Sequence, residues 1–324
     1  MTDEPLAIDN STLRAVARCS TEAMVRYAWH WTTAEERATL KAGTAFHTAM
    51  ERHFKGDQPA EVLAAFSAGY DAWADENVKA DDRLAPANLS RIVSRWLDLN
   101  PLATSPFTVD PTMVEVGFAY PLTDDGSIVF CGRLDGVAQY QDALYVLEHK
   151  STGRITQDWL DTFTLDSQLS GYIWAAQQHT GMTVVGAFLN AIEFSKLPNS
   201  AMKCKGGGGV PSHGVPYSEC GHLHANMRMA VVSRAPEALV EWKKTATHLA
   251  IRYRDMLAKW PTLESLHKLR MQGTFNGSCR FCSFKDFCKL HRPMSYIAAG
   301  NLIFEKWSPY ERATLTNEPT AHTP

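Results

Sequence analysis

Two short stretches of this 324-residue chain, GRLDGV (132–137) and YVLEHK (145–150), hold the side chains best suited to chemistry. Paired as a hairpin around Gln141-Asp142, they set Tyr140 across from Ala143, and counting outward brings Asp135 opposite Glu148. Directly opposed strand residues have Cβ atoms about 4.5–5.5 Å apart. Two carboxylates that close repel each other unless a proton or cation lies between them. Strand alternation adds Lys150 to the Glu148 face and turns His149 away. Oxygen ligands converging on one point suit Mg²⁺ or Mn²⁺, whose open positions take water and phosphate. A lysine there can hold an attacking water or stabilise charge on a phosphoryl group. The same residues also describe an exposed hairpin with an ordinary Glu–Lys pair, and Gln-Asp is not a strong hairpin turn.

Two helical patterns offer partners. In KAGTAFHTAMERHF (41–54), Gly43, His47 and Glu51 fall at i, i+4, i+8 on one face. His47 can ligate a metal or serve as a structural histidine, and Gly43 would let the helix approach another backbone. In DSQLSGYIWAA (166–176), Gln168 and Tyr172 form an i, i+4 polar pair on an otherwise apolar helix. They can hydrogen-bond a phosphate or a base, or mark a helix start with a partly buried tyrosine.

Cysteines form a third group. Cys279, Cys282 and Cys288 make C-x2-C-x5-C, one ligand short of a four-cysteine metal site. Cys19 could close it by clasping both ends of the chain together, while Cys131 reads as a small core residue. Phe281, Phe284 and Phe287 would shield such a centre, and Arg280, Lys285, Lys289 and Arg292 could face a nucleic-acid backbone. Spacing does not separate zinc from iron. Cys204, His213, Cys220, His222 and His224 allow a second zinc site, but their spacing fits no tight template.

The elements that must position these groups follow from periodicity. Helices are expected over 34–54, 59–78 and 86–99, after a first one capped by Ser11 or Thr12. Strands are expected over 114–120, 128–140, 144–150, 181–194 and 227–233, with helices over 163–179 and 236–260. Pro, Gly, Ser and His dominate 196–227, which reads as a flexible insertion. The chain therefore reads as α/β: a flexible N-terminus (1–10), a single domain (11–307) with a helical N-terminal lobe and a cysteine-bearing segment (275–292), and a disordered tail (308–324). Seven cysteines are too few for a disulfide scaffold. The net charge of −3 excludes a uniformly basic coat but not a local basic groove. With no secretory signal and no apolar run of membrane-spanning length, a soluble, cytoplasmic protein is expected.

In this order, Ser11-x-Leu13…Cys19, Gly43-x-x-x-His47, Gly132-Arg133-Leu134-Asp135, Glu148-His149-Lys150, Gln168-x-x-x-Tyr172 and Cys279-x2-Cys282-x5-Cys288 resemble the RecB-like branch of the PD-(D/E)XK nucleases. More narrowly, the chain is similar to the iron–sulfur CRISPR-associated exonucleases and the nuclease domain of AddB. The resemblance implies a restriction-endonuclease-like core, a mixed central sheet flanked by helices. It implies metal ligation by His47, Asp135, Glu148 and the backbone carbonyl of His149. Lys150 becomes the catalytic lysine, with Gln168 and Tyr172 as supporting substrate contacts. It implies a 4Fe–4S cluster on Cys19, Cys279, Cys282 and Cys288, with Zn²⁺ as the alternative occupant. The substrate implied is DNA, single-stranded or at ends, with a helicase or recombination protein as partner. A catalytically silent DNA-binding or assembly protein on the same fold is the other reading.

Overall fold

The computed structural model describes residues 4–33, 37–80, 82–196, 203–204, 214–216, 226–263, 265, 277–290 and 294–314. Strand β1 (Leu6–Ile8) leads into α1 (Asn10–Arg18). Residues 6–8, expected within a flexible terminus, are instead held as a strand parallel to residues 128–130, with Ile8 fully buried. The α1 cap is Asp9, not Ser11 or Thr12: its Oδ1 accepts from the Thr12 backbone N at 2.8 Å and the Thr12 hydroxyl at 2.7 Å. One carboxylate oxygen there satisfies two donors, which a hydroxyl further along cannot do. Cys19 ends α1, and α2 (Ser20–Glu22) runs into a π-helical turn, Ala23–Ala28, before β2 (Trp31–Thr33).

Helices α3 (Ala38–Phe54), α4 (Pro59–Asn77) and α5 (Pro86–Leu99) follow closely where apolar periodicity places them. After β3 (Thr108–Val109) come β4 (Val116–Pro121), β5 (Ile128–Leu134), β6 (Gly136–Tyr140) and β7 (Ala143–Thr152). The strand expected over 128–140 is thus broken at Asp135: β5 pairs with β1 and β4, whereas β6 joins a different sheet. The β6–β7 hairpin has the register that the spacing predicts, with Tyr140 across from Ala143 and Gln141 at positive φ in the turn.

Short helix α6 (Gln157–Asp161) precedes α7 (Ser167–Thr180), which Asp166 caps through the Leu169 backbone N. Strand β8 (Val184–Glu193) then lies parallel to β7, and β9 (Met227–Ser233) closes the edge, giving the mixed order β3-β6-β7-β8-β9. Most of 196–227 lies outside the described residues, as do His213, Cys220, His222 and His224; Cys204 is buried, and Lys203 bridges Pro216.

Apolar side chains fill both faces of this sheet. One core joins α3, α4 and α5 to Ala138, Leu147, Phe188 and Ile192. The other joins α1, α7 and α8 (Pro236–Lys259) to Phe118, Phe130, Val146 and Leu189. Packing on the second face is close enough at Gly171 of α7 that an added Cβ would sit 2.7 Å from Trp242 and 2.9 Å from Phe130.

The C-terminal part contains α9 (Lys285–Lys289), α10 (Met294–Ala298), β10 (Leu302–Phe304) and α11 (Pro309–Thr314). β10 pairs antiparallel with β2, and Trp307 Nα donates to His30 Nδ1 at 3.1 Å. Residues 309–314, expected within a disordered tail, instead form α11, which packs on β4 and β5 with the Ala313 carbonyl against Gly117. Residues 315–324 lie outside the described ones. Among the described residues, no helix is long and apolar enough to cross a membrane.

Candidate active site

Asp135 occupies the point where the chain leaves one sheet for the other. It is buried, and its Oδ2 accepts the His149 backbone N–H at 2.7 Å. Its Oδ1 lies 3.3 Å from His47 Nδ1, brought in by α3. Within a strand, a residue's N–H and C=O point to the same edge. His149 N–H reaches Asp135, so the His149 carbonyl opens on that edge too, beyond the end of β6.

Glu148 shares the Val146 face of β7 and is only 1% exposed. One oxygen, Oε1, pairs with Lys150 Nζ, while Oε2 is buried with no hydrogen-bond partner. Lys150 also donates to Gln168 Oε1 at 3.1 Å, so α7 steadies the lysine from the other side. Tyr172, one turn on, stands edge-on to Phe118. These groups open on a cleft of about 600 Å³ whose walls include Asn10, Arg14, Thr44 and Arg133. Gly43 lines it as well, but an added Cβ would meet Ser151 Oγ at an ordinary 3.4 Å, so no close backbone approach explains this glycine.

Glu115 is a site residue that the sequence reading missed. It lies just before β4 at φ 55°, and its backbone N donates to the Asp135 carbonyl at 3.2 Å. Its side chain pairs with Arg133 and comes within 4.0 Å of His47. Among the described residues, His47, Glu115 and Asp135 form the single group of three potential ligands within 4.8 Å of one another. A signal existed: the Val116–Leu134 register puts Glu115 beside Asp135, but only once the β4–β5 pairing is known.

Burial dominates the electrostatics. It raises Glu148 to about 7 despite Lys150, and raises Glu115 to about 7 despite Arg133. Burial alone would lower His47, yet the Asp135 and Glu148 carboxylates carry it to about 9. Burial also works to raise Asp135, but His47, His149 and Lys150 hold it well below the usual carboxylate range. Burial pushes Tyr172 far up, so it stays a neutral phenol. Carboxylates that would rather hold protons than stay bare, one with an orphaned oxygen, make an oxygen-rich site that a divalent cation fits.

The cysteines lie elsewhere. Cys279 sits in the 3-10 turn Gly277–Phe281, Cys282 N–H donates to its carbonyl at 3.3 Å, and Cys288 lies in α9. Burial pushes the Cys282 thiol up to about 11, and Glu22, Cys288 and Cys19 add to the shift. Phe284 and Phe287 are buried in the core shared with α1, whereas Phe281 is 77% exposed and shields nothing. Its ring packs instead under Arg280, because the 3-10 turn points it outward. Arg280, Lys285 and Lys289 are exposed, and Arg292 is outside the described residues.

A sequence model described as the PD-(D/E)XK nuclease superfamily matches residues 10–289, and the chain belongs to that superfamily. Its mixed sheet between helical layers is the restriction-endonuclease-like fold, and nucleases of this superfamily use divalent metals. Among solved structures, the chain is similar to a candidate exonuclease from Eubacterium rectale, at 13% identity and a TM-score of 0.47, with 78% of this chain and 82% of that one covered. It is also similar to SSO0001, at 15% identity and a TM-score of 0.31, with 75% and 84% covered. No curated protein matches it.

Proposed function

We propose that this protein is a divalent-metal-dependent deoxyribonuclease that degrades DNA from an end. The observation that carries this reading is the buried convergence of Asp135, Glu148 and Lys150, with Glu148 Oε2 left without a partner at the floor of an open cleft. Asp135, Glu148, His47 and the His149 carbonyl would hold Mg²⁺ or Mn²⁺. That ion supplies Lewis-acid polarisation of the scissile phosphate and offsets its charge. Lys150, steadied by Glu148 and Gln168, offers ammonium protons to the attacking water and to the phosphoryl oxygens. Water's oxygen would bond to phosphorus as the bridging P–O bond breaks, the water's surplus proton passing to bulk solvent and the leaving oxygen taking one from solvent in return. Tyr172 and Gln168 line the same cleft and bind substrate as neutral donors. Attack from an end rests on the likeness of the six motifs to the RecB-like branch, and a helicase or recombination protein is the partner such an enzyme would serve.

Cys19, Cys279, Cys282 and Cys288 hold a 4Fe–4S cluster in this reading. Supporting it are the C-x2-C-x5-C spacing, the likeness of the motifs to the iron–sulfur members, and the placing of Cys282 where Cys288 and Cys19 act on its thiol. A brown anaerobic preparation with broad absorbance near ~400 nm supports the cluster; a colourless one with stoichiometric zinc rejects it.

The activity test is end-labelled single- and double-stranded DNA incubated with Mg²⁺ or Mn²⁺, with Asp135→Ala as control. Metal-dependent ladders shortening from the label, absent in the variant, are expected. Full activity in Asp135→Ala sinks the assignment, and binding without cleavage under either metal leaves a silent DNA-binding protein.

A further inference from the structure

Behind the candidate metal site, three buried polar side chains join the helical lobe to the sheet. Trp96 Nε1 on α5 donates to Asn190 Oδ1 on β8 at 3.1 Å, and Asn190 Nδ2 meets His149 Nδ1 on β7 at 2.9 Å. Trp96, Asn190 and His149 are 1%, 2% and 1% exposed. None of the six sequence motifs includes Trp96 or Asn190.

The chemistry of the donors settles every proton in this chain. An indole N–H only donates, so the amide atom that meets it is the oxygen. The other amide atom is then the nitrogen, which also only donates, so His149 Nδ1 is an acceptor. The ring proton therefore sits on Nε2, and that nitrogen is buried with no hydrogen-bond partner. A buried donor left unsatisfied is costly, so the ring is held by its Nδ1 contact and its packing. That packing is aromatic on several sides: Phe54 stacks on it at 5.4 Å and 16°, while Phe46 and His47 stand edge-on at 6.2 and 6.0 Å.

His149 is also where the backbone of β7 meets the site. Its N–H binds Asp135, its carbonyl opens on the same edge, and it pairs across the parallel ladder with Asn190 itself. We infer that Asn190 and Trp96 are positioning residues for the candidate metal site, fixing the His149 ring in one tautomer and orientation and thereby the β7 backbone that faces Asp135. This inference rests on the metal-site reading above. Partners one shell behind a ligand commonly alter metal affinity by about 10–100-fold when removed.

The test uses the full chain without DNA and reads Mn²⁺ binding by calorimetry, imidazole ¹⁵N shifts and melting temperature. Asn190→Leu strips the acceptor and donor together and is expected to weaken Mn²⁺ binding by about 10–100-fold. Asn190→Asp replaces the donor with an acceptor and should move the His149 signature to a ring protonated on Nδ1. Trp96→Phe keeps the aromatic bulk, folds where Asn190→Leu fails, and should weaken Mn²⁺ binding by a smaller factor. Lower melting temperatures with unchanged Mn²⁺ affinity and unchanged ¹⁵N shifts overturn the inference, leaving these residues as packing. Wild-type protein that binds no Mn²⁺ overturns the metal-site reading itself, whereas equal binding in wild type and folded variants overturns only the inference.

Discussion

The acidic cleft and the cysteine segment are both candidate metal centres, yet the fold prepares them differently. In the cleft, the ligands hang on paired strands and long helices, and hydrogen bonds to backbone and side chains hold them before any cation arrives. Around Cys279, Cys282 and Cys288 there is one 3-10 turn and a five-residue helix, anchored to the core mainly by Phe284 and Phe287. The difference separates preorganisation from dependence: the first site would shape an arriving metal, whereas the second would be shaped by one.

The largest expected effect is in the cleft. Glu148→Gln keeps the shape of a fully buried side chain but removes its charge, and cleavage should fall by about 10³-fold. Metal-free stability should hold or rise, because the carboxylate is disfavoured by burial. A comparable fall in melting temperature would mean that the site is not preorganised as described. Next, Cys282→Ser should expose the 277–289 segment to limited proteolysis and cost stability of about 2–5 kcal/mol, comparable to losing a covalent staple. Below its melting temperature, the variant should keep Mn²⁺ affinity in the cleft. Equal loss of both functions would merge the two regions into one unit.

A third effect is pH-dependent. Without a cation, Glu148 and Glu115 are raised by burial to about 7, so their stabilising contribution is complete below about 4.5 and lost as pH rises through 7. His47, which Asp135 raises to about 9 against the effect of burial, extends that loss upward. Burial lowers His53 to about 4 and His149 to about 3, so their contribution is complete above about 6.5 and lost as pH falls through those values. Metal-free protein should therefore be most stable between about pH 4.5 and 6.5 and weaken steadily toward 9. Mn²⁺ should raise the melting temperature more at pH 8 than at pH 6; equal increments would show that these carboxylates do not bind it. Smallest of all is Gly43→Ala, where space is adequate and helix propensity favours alanine by about 1 kcal/mol. Melting should shift slightly upward with Mn²⁺ affinity unchanged.

How much of this could be read from sequence follows the same division. Asp135, Glu148 and Lys150 are close in sequence and joined by a hairpin, so period-2 counting found their register. His47, Gln168 and Tyr172 needed only helical spacing. Glu115, Trp96 and Asn190 depend on pairings between distant segments, α5 with β8 and β4 with β5, that no local period encodes. The break at Asp135 was hidden for a related reason: residues 128–140 alternate well enough to look like one strand, and only the two sheets reveal the bend. Leu6–Ile8 and Pro309–Thr314 looked unstructured because each is short and takes its order from a partner far along the chain.

These remote pairings set the order in which a nascent chain closes. β2 waits for β10, separated from it by most of the chain, and the Gly117 face of β4 and β5 stays open until α11 follows. At a synthesis rate of about 5–20 residues per second, the N-terminal segments spend tens of seconds without their C-terminal partners. Contacts so remote in sequence also slow folding. A nascent chain can shape its carboxylate cleft early, but it is fastened only when residues 302–314 emerge. Products truncated before β10 should therefore be left open to proteolysis around β2.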